Sequence, residues 1–350
     1  MKRIGAILLL AVLILTLSSC GSKNVQKQFI AMDTVISFRA EGKNAEKALQ
    51  EAEKEIYALE AMLSRTRADS EVTRLNQAGG EIVEISGTLC HLLDAAKAYR
   101  QITGGAFDIT IAPVCDAWGF TTETRKVPDT AELKTLLALV DSDRIASSDG
   151  SAALGEGQQI DLGGIAKGYV SDLMKELYAR HDISGGTVSL GGNVYVKGTK
   201  EDGSLWQVGV QDPKQPESSV LVGMVGLSDA FAVTSGGYQR YFEQDGAVYH
   251  HIIDPATGYP ADSGLTSVTV VACAETSGTE EMAGMGTMCD AFSTALFVMG
   301  EEEALNFWRN SDLTFDLILV TEDDRVVVTD GIAEQFTPMQ EEVYTYETVS

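Results

Sequence analysis

The hydrophobic pattern changes period several times along the chain. Residues 29–40 (FIAMDTVISFRA) alternate apolar and polar positions and predict a strand. Over 43–63, Ala45, Ala48, Leu49, Ala52, Ile56, Leu59 and Leu63 recur at helical spacing with charges between them, so an amphipathic helix is expected. Residues 82–85 read as a short strand, and 88–102 as a helix closed by Gly104-Gly105. A second helix starts after Pro128-Asp129-Thr130 and runs to about Val140; an amphipathic one over 165–180 follows the short apolar stretch 160–162.

Strands are then expected around Val188, Tyr195, Val208, Val222 and Phe231, separated by Gly, Pro, Asn and Asp turns. Residues 249–253 and 267–272 read as further strands, and 291–299 and 302–310 as helices. A hairpin of 317–320 and 325–328 closes around Glu322-Asp323-Asp324. Helices alternate irregularly with runs of short strands, without a regular βαβ rhythm. The expected fold class is α+β, a single bilobal domain with largely antiparallel sheets flanked by helices. A chain of 350 residues is long enough for it.

The first residues set an expected address. Lys2 and Arg3 precede an apolar run from Ile4 to Leu17. That run falls short of the roughly 20 residues of a membrane span and reads as a secretory signal. It ends in Leu17-Ser18-Ser19-Cys20, similar to the lipobox of bacterial lipoproteins, in which the Cys is acylated. The expected organisation is a signal peptide over 1–19, a lipidated Cys20 with a polar tether to 28, and one domain over 29–345. The mature protein is then extracytoplasmic and lipid-anchored to the cell membrane.

Composition supports a folded protein, with 44% hydrophobic and 22% charged residues. The formal net charge of −25 disfavours nucleic acid, whose backbone is bound by clustered Lys and Arg. It also means that any polyanionic ligand meets a repulsive field, to be offset by a bound cation and a few local donors. Besides Cys20, four cysteines remain, and their even number outside the cytoplasm permits disulfides.

Four segments are unusually polar or glycine-rich for their neighbourhoods: 104–110 (GGAFDIT), 161–168 (DLGGIAKG), 250–258 (HHIIDPATG) and 290–296 (DAFSTAL). In the second, Asp161 and two glycines precede a helix, whose start offers unpaired N–H groups to a phosphate, with Lys167 in its first turns. A tight turn with a surface lysine has the same appearance. In the fourth, Asp290 and Thr294 share one helix face and make an oxygen pair suited to Mg²⁺, although a solvated helix start looks alike. The third holds the only adjacent histidine pair among four histidines, fit either for a general base or for a hydrogen-bonded hairpin.

Together these segments resemble the ApbE family. Met32-Asp33-Thr34, Ala106-Phe107-Asp108-Ile109-Thr110, residues 161–168, Ser189-Leu190-Gly191-Gly192-Asn193, Ser235-Gly236-Gly237-Tyr238, residues 251–258 and residues 290–294 follow the family's order over nearly the whole mature chain. The resemblance implies an FAD:protein FMN transferase that uses FAD as substrate and Mg²⁺, with Mn²⁺ left open. It places the cation on the Gly164 carbonyl, Asp290 and Thr294. FAD is placed against Met32, Ala106, Phe107, Asp108, Asp161, Lys167, His251 and Ile253. His251 matches the family's motif histidine, here assigned as base, and Lys167 supplies positive charge. Acceptors are expected among flavoprotein subunits of membrane or extracytoplasmic redox systems.

Two departures stand out. Asp33 replaces a glycine frequent in the family motif, adding a carboxylate that either weakens flavin binding or points away. The 273–289 crossing is longer than the family's usual connection, and Cys273 and Cys289 bracket it either as a disulfide beside the metal helix, worth roughly 3 kcal/mol, or as two reduced buried cysteines. Pairing of Cys90 with Cys115 stays open. Two other activities fit the same residues: a Mg²⁺-dependent FAD pyrophosphatase giving FMN and AMP, and a non-catalytic flavin-binding lipoprotein.

Overall fold

The computed structural model describes residues 24–120, 124–148, 150–274 and 284–350. The leader and Cys20 lie outside the described residues. Residues 29–40 are not one strand. Met32 and Asp33 take positive φ, 51° and 57°, and fold the chain into a hairpin of Asn24–Ala31 on Thr34–Glu41. Two consecutive left-handed residues suit a two-residue type I′ turn. Neither is a glycine, so apolar alternation runs through the turn unbroken. The first strand also begins inside the expected tether, with Asn24 paired to Glu41.

This hairpin opens a nine-stranded sheet. Its order is Asn24–Ala31, Thr34–Glu41, Gly185–Leu190, Asn193–Lys197, Ala230–Gly236, Leu265–Cys273, Asp316–Thr321, Arg325–Thr329 and Thr345–Val349. Neighbours are antiparallel except the final pair, which is parallel. The largely antiparallel α+β expectation holds. Both faces of the sheet are covered. In Asp316–Thr321, Leu317 and Leu319 enter the larger core, while Ile318 and Val320 enter a second core on the opposite face. Such double burial explains why this strand reads as a continuous apolar run.

The larger core takes the helices. Ala45–Leu63 buries all seven positions that its spacing singled out. Gly87–Ile102 begins at Ser86, whose Oγ accepts the Leu89 N–H at 3.2 Å. The second core lies under a three-stranded sheet of Trp206–Gln211, Leu221–Leu227 and Phe336–Pro338.

One helix pair positions the cleft described below. Ala166–Arg180 and Met285–Met299 meet so closely that a Cβ on Gly168 would stand 2.3 Å from Gly286 O and 2.7 Å from Asp290 Cβ. Only glycine allows that approach. Asp172, on the first helix, accepts the Gly286 and Thr287 N–H groups at 2.8 Å each and so caps the second. This cap comes from another element. It starts the helix at Met285, ahead of the expected residue 291.

Other differences are local. Short helices Glu71–Gln77 and Ala112–Trp118 and the last strand, Thr345–Val349, carry too little periodicity to be foreseen. The helix after Asp129 stops at Leu137. The histidine-bearing strand is Ala247–His250, and Ile253 makes only an isolated bridge to Pro260. The Cys273–Cys289 disulfide is not formed. Helix phase turns Cys289 inward as a fully buried free thiol, while Cys273 is exposed at its strand end. Cys90 and Cys115 are also free thiols.

Candidate active site

The four polar segments converge on one cleft of about 1170 Å³. Met32, Ala106, Phe107, Asp108, Asp161, Gly164, Lys167, His251, Ile253, Asp290 and Thr294 all border it. Among the predicted site residues, Cys20 lies outside the described part of the chain.

Asp161 organises the glycine turn. Its Oδ1 accepts the Gly163 N–H at 2.8 Å, and its Oδ2 accepts from Arg65 Nη1 at 3.2 Å. The other Arg65 nitrogen, Nη2, donates to Asp116 at 2.6 Å. Burial works against the Arg65 charge, but the two carboxylates outweigh it and hold the guanidinium more firmly protonated. The Asp161 N–H donates to the Ile109 carbonyl at 2.8 Å, tying this turn to the 106–111 segment.

Gly164 sits where the segments touch. A Cβ there would lie 2.9 Å from the Phe107 ring and 3.6 Å from Thr294 Oγ1. The helix that follows is less open to anions than its sequence suggests. The Ala166 N–H already bonds the Leu162 carbonyl, and the Gly168 N–H donates to Asp290 Oδ2 at 2.8 Å. Among the described residues, that leaves the Lys167 N–H uncommitted in this first turn. Lys167 Nζ folds back to the Gly163 carbonyl at 3.1 Å, beside the same turn.

Asp290 fits a cation. It is 3% exposed, yet no Lys, Arg or His pairs with it among the described residues. Buried carboxylates are otherwise paired or metal-bound. Thr294 lies one helical turn on, and no cluster of three His, Cys, Asp or Glu side chains occurs among the described residues. A cation here would draw on one carboxylate, a hydroxyl and a backbone oxygen, with water completing its shell. That donor set suits Mg²⁺ or Mn²⁺.

The two adjacent histidines divide. His250 Nε2 donates to the Ala261 carbonyl at 3.1 Å, and its ring stands edge-on to Phe297, so it is structural. His251 borders the cleft, with Nδ1 buried and unpartnered. Burial, then the nearby Arg240, His250 and Lys167, push its imidazole down to about 3. The Asp-Pro turn after it is structural too: Asp254 Oδ1 accepts the Ala256 N–H, and the Gly258 carbonyl accepts Trp118 Nε1 at 2.7 Å.

The family profile described as "ApbE family" matches residues 32–319. The chain belongs to the ApbE family. It is 31% identical over 288 residues to the FAD:protein FMN transferase of Klebsiella pneumoniae, covering 81% of this chain and 85% of that one. It is also 31% identical over 342 residues to the Treponema pallidum protein of the same name, covering 91% of each. Among solved structures, the ApbE protein of Thermotoga maritima matches with a TM-score of 0.77 at 29% identity, over 91% of this chain and 98% of that one. The flavin transferase ApbE of Vibrio cholerae matches with a TM-score of 0.74 at 26% identity, over 87% and 95%. The α+β architecture is thus the ApbE fold.

Within this ApbE-family cleft, the Asp108 carboxylate is already spent. It accepts from Arg100 Nε, from the N–H and hydroxyl of Thr110, and from the Ser142 N–H, all within 3.1 Å. Any ligand contact there falls to the backbone. Asp33 points outward, its side chain 81% exposed and 3.8 Å from Arg240. Residue patterns missed Glu60, which accepts the Met32 N–H at 2.6 Å, as well as Arg65 and Arg240. The Ser64-Arg65-Thr66-Arg67 stretch carried a signal: two arginines together are notable in a chain with 26 basic and 51 acidic residues.

Proposed function

We propose that this cleft transfers FMN from FAD to a Thr or Ser hydroxyl of an acceptor protein, releasing AMP. The observation that carries the reading is the buried Asp290, paired with no Lys, Arg or His among the described residues, beside Thr294 and Gly164 and within reach of a glycine turn bearing Lys167. The acceptor oxygen forms a bond to the FMN-side phosphorus. The bond from that phosphorus to the bridging oxygen breaks, AMP leaves with the electron pair, and the hydroxyl proton passes to a base.

Asp290, Thr294 and the Gly164 carbonyl would hold Mg²⁺ or Mn²⁺, which supplies charge neutralisation at the phosphates. Lys167 adds a second positive charge at the Gly163 turn. Phe107 and Met32 give the cleft apolar walls for the flavin. His251 is neutral in the empty cleft, the form a base requires. Arg240 and Lys167, which depress it, are the cations that a bound pyrophosphate would neutralise, so ligand binding raises its basicity.

The address follows from the first residues. Residues 1–19 act as a signal peptide, and Cys20 carries the lipid a few residues before Asn24, which is already in the first strand. The enzyme then works close to the outer face of the cell membrane, where acceptor subunits of redox systems are embedded. No helix of the described residues is long and apolar enough to cross a membrane. A Cys20→Ala protein released into the soluble fraction supports the anchor; an unchanged membrane fraction rejects it.

The deciding experiment mixes the protein lacking residues 1–20 with FAD, Mg²⁺ and an acceptor flavoprotein domain. The expected result is an FMN-sized mass gain on the acceptor, with matching AMP, abolished by EDTA. AMP and free FMN beside an unmodified acceptor would replace transfer with hydrolysis. Intact FAD would leave a binding protein.

A further inference from the structure

Three hydroxyls link the helix Met285–Met299 to the strand Ala230–Gly236. Ser293 Oγ lies 2.9 Å from the Asp290 carbonyl, Ser235 Oγ lies 2.8 Å from Ser293 Oγ, and Ser235 Oγ lies 3.2 Å from Thr294 Oγ1. Each hydroxyl has one proton to give and can accept. The Asp290 carbonyl can only accept, so Ser293 donates to it. Ser293 then has no proton left for Ser235, so Ser235 donates to Ser293. The one proton of Ser235 is now used, so Thr294 donates to Ser235. The direction of the whole chain follows from its acceptor-only end.

We infer that Ser235 is a positioning residue that turns the Thr294 proton away from the cleft and leaves the lone pairs of Thr294 Oγ1 for a divalent cation. A free threonine hydroxyl rotates and can aim its proton at an incoming cation. Here the rotor is fixed before any cation arrives. Ser293 is fully buried and anchored to its own helix, so the chain cannot relax by turning to water. Ser235 is held in register by its strand, with Val268 opposite on Leu265–Cys273. It also borders the cleft, one residue before the glycines of the Ser235-Gly236-Gly237-Tyr238 motif. Outer partners of this kind typically change metal affinity by about 10–100-fold when removed.

The inference rests on the proposed cation site, and its test separates the two. Ser235→Thr and Ser235→Val have the same shape, both suit a strand, and differ only by a hydroxyl. Mn²⁺ binding to the FAD-free protein is read by electron paramagnetic resonance of the free ion, with thermal melting as the check on folding. Wild type and Ser235→Thr are expected to bind alike, and Ser235→Val about 10-fold or more weakly at a similar Tm. Equal Mn²⁺ affinity for the Thr and Val variants would overturn the role of Ser235 while leaving the cation site intact. Wild-type binding that is undiminished in Asp290→Asn, or absent altogether, would overturn the cation site and this inference with it.

Discussion

The two carboxylates that flank the glycine turn are treated in opposite ways. Asp161, the more exposed, receives Arg65 at 3.2 Å and the Gly163 N–H at 2.8 Å, so its charge is met within the chain. Asp290, almost without solvent, receives one N–H from Gly168 and no cation among the described residues. Burial alone would demand the reverse, because the drier acid is the costlier one to leave charged. The difference teaches that Asp161 shapes the turn, whereas Asp290, under the proposed function, would take its cation from solution. In a protein of net charge −25, a cation bound there would place phosphate-neutralising charge where the donor residues converge.

Breaking the cation side should have the largest effect. Asp290→Asn keeps an acceptor for Gly168 but removes the charge. FMN transfer is expected to fall about 10²–10³-fold and to lose its Mg²⁺ dependence. The Tm of the metal-free protein should hold or rise, because an unpaired buried charge has gone. A metal-free Tm lowered by many degrees would mean that Asp290 is structural.

Arg65→Ala should act with the opposite balance. Asp161 and Asp116 lose their shared guanidinium, and urea denaturation should show a loss of about 1–3 kcal/mol. KM for FAD should rise about 10-fold, with kcat less affected, as expected for a residue that holds the shape of the turn. A fall in kcat as deep as that of Asp290→Asn would erase the distinction between the two acids.

The His251 prediction concerns pH. Its imidazole is depressed from 6.5 to about 3, so over that interval the unfolded chain binds a proton that the folded chain refuses. The associated stability is complete above the ordinary value and is lost as pH falls towards the depressed one. His251→Gln should therefore flatten the fall in stability between these limits. NMR of the apo protein should find the wild-type ring neutral at pH 5. A midpoint near 6.5 would contradict the burial beside Arg240 and Lys167.

The smallest effect belongs to Asp33→Gly. Residue 33 has φ 57° and an exposed carboxylate, so glycine relieves backbone strain by at most about 1 kcal/mol. KM for FAD should change only a few-fold, since an exposed ion pair contributes little. A large gain in affinity would show that Asp33 repels the flavin.

Legibility followed period and local chemistry. The helix Ala45–Leu63 was readable to the residue on its buried face because its seven apolar positions hold one phase for five turns. The hairpin of Arg325–Thr329 on Asp316–Thr321 was readable because acidic turn residues separate two apolar runs. The turn at Met32-Asp33 was not, since neither residue advertises a left-handed conformation as Asn-Gly would. The start of Met285–Met299 was hidden because its cap, Asp172, lies more than a hundred residues away in sequence. The choice between a Cys273–Cys289 bridge and two thiols was hidden for a related reason: spacing brackets a loop but does not fix which way a helix faces.

The sequence by itself determined the α+β class, the family to which the chain belongs, and the motif residues that border the cleft, though not Glu60, Arg65 or Arg240. Those are properties of local composition and of motif order, which survive without coordinates. Only the tertiary structure decided what each residue does there. It spent Asp108 on Arg100 and Thr110, made His250 structural and left His251 facing the cleft. It gave Asp161 an arginine and, among the described residues, none to Asp290. Charge compensation and proton direction depend on partners brought together from distant segments, and no pattern along a single chain records which partner arrives.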